Sequence, residues 1–320
     1  MFRDIPNGFW APRQFLIIGL IAGIYLAISS ILIGFKTDQL VLTGIFAVGH
    51  FAGPVSRRFI LGFSIFIVYW IIFDYMKAFP NYRFHSVHLE DLYQAEKAAF
   101  GFLHEGQRIT PNEYWLLKHQ NGLDLLTGFF YLCWVPVPLA FAGWLFFTDK
   151  KRFLNFSITF VFVNLIGFVF YYIYPAAPPW YYQLHGSEFI AGTPGNTAGL
   201  SRFDAITGTS IFHGLYAKSS NVFAAMPSLH SAYPLIVVYY AFRKPSGWLF
   251  RFFAIAVMIG IWFSAVYTSH HYVLDVLAGI CCAVIGMLIY NFWIMKLKWF
   301  QRFLNYYEQV ISPIRPPQIH

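Results

Sequence analysis

The chain has 320 residues, 58% of them hydrophobic, 21% aromatic and 11% charged, with mean hydropathy +0.54 and net charge +8. Soluble domains carry about 25% charged residues, so this composition excludes a disordered protein, a coiled coil and an ordinary cytosolic enzyme. It predicts an all-α, polytopic membrane bundle.

A bilayer crossing needs about 20 apolar residues, and seven windows qualify. In chain order they are Phe15–Gly34, Phe59–Phe79, Leu123–Phe147, Phe153–Tyr174, Pro227–Phe242, Trp248–Thr268 and Tyr272–Met295. The third carries Pro136 and Pro138 and is expected to kink; the fifth is short. Gln39–Gly53 is apolar, short and glycine-containing, and reads as re-entrant or interfacial. Leu89–Leu103 has helical patterning inside a polar stretch, and Pro175–Met226 is rich in Gly, Pro, Ser and Thr. A connection that long is more often functional than idle. These readings divide the chain into N-terminal spans (1–80), an extracytoplasmic segment (81–122), a catalytic membrane core (123–296, including loop 175–226) and a basic cytoplasmic tail (297–320). Cys133, Cys281 and Cys282 read as apolar core residues, with no metal-binding spacing.

With seven crossings, Phe35–Arg58, Thr148–Arg152, Arg243–Gly247 with Arg251, and the tail from Lys296 fall on one face and hold a large excess of Lys and Arg. The positive-inside rule makes that face cytoplasmic. The N-terminus and both long polar segments then face the periplasm, the exterior or a Golgi-type lumen. The basic balance is therefore a topology signal, and no nucleic-acid partner is expected.

Two motifs meet on the outer face. Met226-Pro-Ser-Leu-His-Ser231 opens the fifth span, and Ser264-Ala-Val-Tyr-Thr-Ser-His-His-Tyr-Val-Leu-Asp275 joins the sixth to the seventh. Pro227 suits a first helical turn, whose free N–H groups and dipole favour an anion. His271 and Asp275 are spaced i, i+4 and share a helix face. A carboxylate bonded to one ring nitrogen would set the tautomer and leave the other nitrogen as nucleophile or base. His230, His271, Asp275 and a helix N-terminus thus suit phosphoryl transfer without a metal or other cofactor. His270, taken alone, reads as a solvated interfacial residue.

These stretches resemble the second and third signatures of the type 2 phosphatidic acid phosphatase superfamily, P-S-G-H and S-R-x5-H-x3-D. The match is closer to the inositol phosphorylceramide synthase branch, the aureobasidin targets. Tyr174-Pro-Ala-Ala-Pro-Pro-Trp-Tyr181 and Gly199-Leu-Ser-Arg-Phe-Asp204 support that branch as well. The resemblance covers roughly Leu123–Asn291. It implies a six-helix catalytic core with an extra N-terminal span, His271 as nucleophile forming a phosphohistidine, Asp275 as its support and His230 as proton donor to the leaving group. It also marks Ser228, Ser264 and Tyr267 as candidate phosphate- or substrate-binding residues.

The departures from the phosphatase pattern are informative. No K-x6-R-P motif is present, Ala265 replaces the signature arginine and Leu229 the signature glycine. A phosphodiester carries one charge and needs less compensation than a monoester dianion, so the losses lean toward a lipid phosphodiester donor. Arg202 and Lys218, and more weakly Arg83, are the outer-face cations available to it. Trp180, Tyr181 and Tyr182 read as an interfacial aromatic belt. The expected activity is transfer of a phosphoinositol-type headgroup from a glycerophospholipid to a ceramide-like alcohol. Membrane lipids are the partners, and a regulatory subunit is left open. The alternatives are a lipid phosphate phosphatase of the same fold, or a non-catalytic transporter or scaffold.

Overall fold

A computed structural model of the chain describes residues 10–217, 221–243 and 247–313. Helices α1 (Pro12–Ile33), α2 (Thr37–Phe51) and α3 (Pro54–Tyr75) open it. Pro12 and Pro54 each lie in a first turn, where a missing N–H costs nothing. Near the start of α1, Phe15 stacks on Phe51 and Gln14 meets His50. Near its end, Ser29 bonds the Tyr75 hydroxyl. α2 therefore runs from the Tyr75 end of the bundle to the Arg57 end, antiparallel to both neighbours.

This corrects the reading of Gln39–Gly53, which enters at one end and leaves at the other. It also turns α1 over: Pro12 lies at the Arg57 end, and Phe35–Arg58 is not a loop on one face. The reason is reach. Fifteen helical residues rise about 22 Å, and the extended residues flanking them add most of what a core of about 30 Å requires. The buried amide of Gln39 costs little because its own turn satisfies it, donating to the Gly34 carbonyl and accepting the Lys36 N–H.

Residues 76–120 cap the Tyr75 end with α4 (Glu90–Phe100), the hairpin β1 (Phe102–His104) and β2 (Gln107–Ile109), and α5 (Pro111–Leu117). The hairpin turns on Glu105-Gly106, both at positive φ, as a two-residue primed turn requires. Thr110 and Glu113 form a capping box on α5. The third span is broken into α6 (Asn121–Leu132) and α7 (Pro136–Thr148), with the break where Pro136 has no N–H to give. α8 (Lys150–Ile173) follows.

The described residues of the Pro175–Met226 stretch hold the short α-helices α9 (Pro179–His185), α10 (Ser201–Thr207) and α11 (Ile211–Tyr216). The bundle ends with α12 (Leu229–Phe242), α13 (Trp248–Tyr267) and α14 (Val273–Phe292), followed by α15 (Lys298–Ile311). Among the described residues six helical segments, counting α6 and α7 as one, are long and apolar enough to cross a membrane, and α12 is a shorter apolar helix. The chain is an integral membrane protein with an all-α bundle.

The core gathers around α8, where Phe153, Phe156, Phe160 and Val163 meet Phe66 of α3, Phe146 of α7, Tyr240 of α12 and Met287 of α14. α15 packs at the Arg57 end, with the Tyr307 hydroxyl on the Leu61 carbonyl at 2.7 Å. At the other end three extended segments pair side by side through His88, Ala176 and Ala224. Asn81 ties them to α8 by donating to the Tyr171 and Phe223 carbonyls. Trp180 and Tyr181 are buried in this cap against Phe223, so they hold the cap together and do not form the expected interfacial belt. Cys281 faces outward, unlike buried Cys282.

Candidate active site

The cap delivers the Met226–Ser228 stretch to the bundle. Pro227 precedes the helix: Ser228 is the N-cap of α12 and Leu229 its first residue. His230 is therefore the second residue of the first turn, two positions nearer the helix start than a helix-initiating Pro227 would put it. Ser228 N–H donates to the Asp275 carbonyl at 2.9 Å, which fastens the start of α12 to the first turn of α14. Gly279 lets the two come this close, because a Cβ there would lie 2.1 Å from the Ser228 carbonyl oxygen. The indole N–H of Trp262 bonds the Ser231 carbonyl from the α13 side.

Between α13 and α14 the chain turns sharply. The Ala265 carbonyl accepts both the His270 and His271 N–H groups, and Ser269 holds a left-handed φ of 58°. This projects His271 toward α12, where its Nε2 lies 3.0 Å from His230 Nδ1. Both rings are largely withdrawn from solvent, with Trp134 and Tyr131 covering His230 at centroid distances of 4.4 and 5.1 Å. Burial pushes the His271 ring down to about 4, with the Ala225 carbonyl acting in the opposite sense. The ring is therefore neutral at neutral pH and keeps a lone pair.

His271 precedes α14, so the i, i+4 pair spans the helix start and does not lie along one helical face. Asp275 Oδ2 is 3.6 Å from His271 Nδ1, an ion-pair distance longer than a hydrogen bond. The same oxygen accepts the Tyr272 N–H at 2.9 Å, so the carboxylate is held by the backbone of its own turn and the expected direct bond is not formed. Asp275 Oδ1 is buried without a hydrogen-bond partner among the described residues.

The structure brings His230, His271, Asp275 and Ser228 together. Ser228 Oγ accepts a bond from Ser231 Oγ at 3.1 Å. The other described candidates, Ser264, Arg202 and Tyr267, each hold a hydrogen bond elsewhere. The Ser264 hydroxyl, in the last turn of α13, donates back to the Gly260 carbonyl at 2.6 Å, as a helical serine commonly does to the carbonyl four residues earlier. Arg202 Nε donates to Asp124 Oδ1 at 2.6 Å, and the Tyr267 hydroxyl donates to the same oxygen at 2.9 Å. Arg202 thus neutralises a buried carboxylate and lies over the Tyr267 ring. Its buried Nη2 has no hydrogen-bond partner among the described residues. Lys218 lies outside the described residues, and Arg83 is exposed on the cap.

His270 differs from its expectation. It is buried, its Nε2 bonds the Thr197 carbonyl at 3.0 Å, and Tyr216 stacks on its ring at 4.5 Å. Burial holds it well below the usual histidine range. Sequence reasoning missed Asn112, which is fully buried in α5 and donates to the carbonyls of both Val266 and His271. The only signal was an asparagine after Pro111, which reads as ordinary turn chemistry.

A buried histidine pair beside a carboxylate, at one end of an all-α membrane bundle, defines a phosphoryl-transfer class of site. The chain belongs to the PAP2 superfamily, whose profile matches residues 90–289, more than half of its length. It is 41% identical over 303 residues to a phosphoinositol dihydroceramide synthase of Bacteroides thetaiotaomicron, covering 94% of this chain and 99% of that protein. It is 31% identical over 176 residues to an inositol phosphorylceramide synthase of Candida albicans, covering 50% of this chain and 35% of that protein. A further match is the inositol phosphorylceramide synthase catalytic subunit of Saccharomyces cerevisiae, 32% identical over 136 residues, 41% of this chain and 32% of that protein. The chain thus spans about a third of the fungal relatives' length. No solved structure matches it significantly.

Proposed function

We propose that the chain transfers a phosphoinositol headgroup from a glycerophospholipid to a ceramide-type alcohol. The observation that carries this reading is the similarity to the Bacteroides synthase, which runs nearly end to end through both chains.

In this reading the resting His230 Nδ1–H donates to His271 Nε2, the tautomer that leaves the His271 Nδ1–H facing Asp275. The donor phosphate displaces that bond and enters between the rings, which part by about 3 Å to admit phosphorus and its oxygen at near-attack distances. His271 Nε2 attacks phosphorus, the bond to the diacylglycerol oxygen breaks, and His230, entering the step as the imidazolium, gives that oxygen its proton and is left as the neutral base. The phosphohistidine diester then meets the acceptor. His230 takes the proton of the acceptor hydroxyl, the oxygen attacks phosphorus, and the P–N bond breaks. One residue acting as acid and then base returns the site to its starting protonation. Asp275, buried beside the ring, stabilises the positive charge that His271 gains in each step.

We also propose that the active site faces the extracytoplasmic side. Arg57, Arg58, Lys150, Lys151, Lys296 and Lys298 collect at the opposite end of the bundle, and the reversed α1 adds Arg13 to that end, in keeping with the positive-inside rule. The test is an acceptor assay on the purified chain in mixed micelles of phosphatidylinositol with and without ceramide, with products read by mass spectrometry. Ceramide-dependent release of diacylglycerol with a new inositol phosphosphingolipid is expected. Phosphate release from phosphatidate, with no such product, would overturn the transferase reading in favour of a hydrolase.

A further inference from the structure

One buried carboxylate near the site has no part in the chemistry above. Glu96 projects from α4 and is fully buried (0% exposed). Its Oε1 accepts the Val273 N–H at 3.0 Å and its Oε2 the Leu274 N–H at 3.1 Å. These are the first two amides of α14, donors that the helix itself leaves unused. Tyr272 N–H, the amide just before them, is taken by Asp275. Three successive amides are therefore held by two carboxylates, one from α14 and one from a separate element of the cap. On the other side of the same turn, Asn112 holds the Val266 and His271 carbonyls. His271 lies between these two grips.

The titratable groups around Glu96 come from every element packed on it. Asp275 and Tyr272 act on it from the α14 side, and Tyr93 and Lys97 flank it on α4, where Glu113 of α5 and Tyr182 of α9 meet Tyr93 and Arg108 of β2 meets the Ala98 carbonyl. The two cations are engaged elsewhere, Lys97 on the Tyr93 hydroxyl and Arg108 on the Ala98 carbonyl. The charge on Glu96 is balanced by helix amides, with no ion pair to Glu96 among the described residues.

We infer that Glu96 is a positioning residue for His271: its carboxylate anchors the amide end of α14 to the cap and so holds the 270–272 turn in register with His230. This rests on the phosphotransfer reading of His271. Ionised, Glu96 accepts both amides. Protonated, one oxygen becomes a donor and the double grip is lost. Burial pushes its carboxyl up to about 7, with the two amides opposing and Asp275 adding to the rise. The grip is therefore present above that pH and released as pH falls through it.

The test uses the full chain in mixed micelles and compares wild type with Glu96→Gln and Glu96→Asp, following kcat/KM between pH 5.5 and 8.5 and the thermal midpoint in detergent. The wild type should lose activity as pH falls through about 7. Glu96→Gln, with one acceptor oxygen and no ionisation, should be lower by about 10- to 100-fold at pH 8 and should lack that acid limb. Glu96→Asp should recover part of the activity and retain a limb. A Glu96→Gln protein with wild-type kcat/KM and an unchanged limb would overturn the inference. Should Glu96→Gln not fold, the aspartate variant decides: undiminished activity across the range overturns the inference, and reduced activity with a limb supports it. The comparison runs on whichever lipid phosphate reaction the wild type performs, so failure of the transferase reading is seen separately, as absence of product in the wild-type acceptor assay.

Discussion

Replacing Gly279 by alanine tests how the site is assembled. In α14 a Cβ at this position lies 2.1 Å from the Ser228 carbonyl oxygen and 2.9 Å from the carbonyl carbon. Both are rigid backbone, so no rotamer relieves the contact, and the start of α12 must move away from α14 by about 1 Å to reach ordinary van der Waals separation. The Ser228 N–H bond to the Asp275 carbonyl, 2.9 Å in length, is lost in that movement. Overpacking of this kind costs about 1–3 kcal/mol and the broken bond about 1 kcal/mol more. The functional effect should be larger than the stability effect. His230 rides on the first turn of α12, so its 3.0 Å approach to His271 opens by a similar amount, and a misplacement of about 1 Å is enough for a loss of about 100-fold. The assay is kcat/KM for transfer, with the thermal midpoint in detergent measured alongside. A Gly279→Ala protein with wild-type kcat/KM would refute the claim that this backbone contact sets the histidine pair.

Other outcomes follow from the same geometry. His271→Ala should abolish turnover and leave no phospholabelled protein, and Asp275→Asn should lower kcat by about 100-fold or more as the imidazolium loses its support; wild-type-like activity in His271→Ala would sink the mechanism. Since burial holds His271 down to about 4, protonation of this ring removes its lone pair only as pH falls through that value, and a pH profile of the Glu96→Gln protein should keep its activity from pH 8 down to about 5. Asp124→Asn leaves the Arg202 guanidinium without its buried partner and should destabilise the fold by about 3–5 kcal/mol, seen as a lowered thermal midpoint. A single cysteine at Ala191, in a background without Cys133, Cys281 and Cys282, should react with an impermeant thiol reagent from the extracytoplasmic side; labelling only after the cytoplasmic face is opened would reverse the proposed orientation.

Much of this protein is legible in its residues taken in order. Composition alone demands a helical membrane bundle, because so few charges leave most of the surface apolar. Span positions follow from runs of about 20 apolar residues, and the break between α6 and α7 follows from Pro136. The family is readable because His230, His271 and Asp275 keep a local spacing that chemistry constrains. What the sequence leaves undecided is whatever depends on contacts between distant segments. The direction of α1 and α2 rests on pairs such as Phe15 with Phe51 and Ser29 with Tyr75, and no local periodicity encodes them. Arg202 looks like a free outer-face cation until Asp124, 78 residues away in sequence, is found on its Nε. Ser264 looks like a phosphate ligand until its hydroxyl is seen turned back on its own helix. Glu96 and Asn112 have no motif at all, and only the folded cap brings them to the turn that carries His271. Chemistry that must act at one place leaves a local signature, whereas the groups that hold it in place can come from any part of the chain that packing delivers.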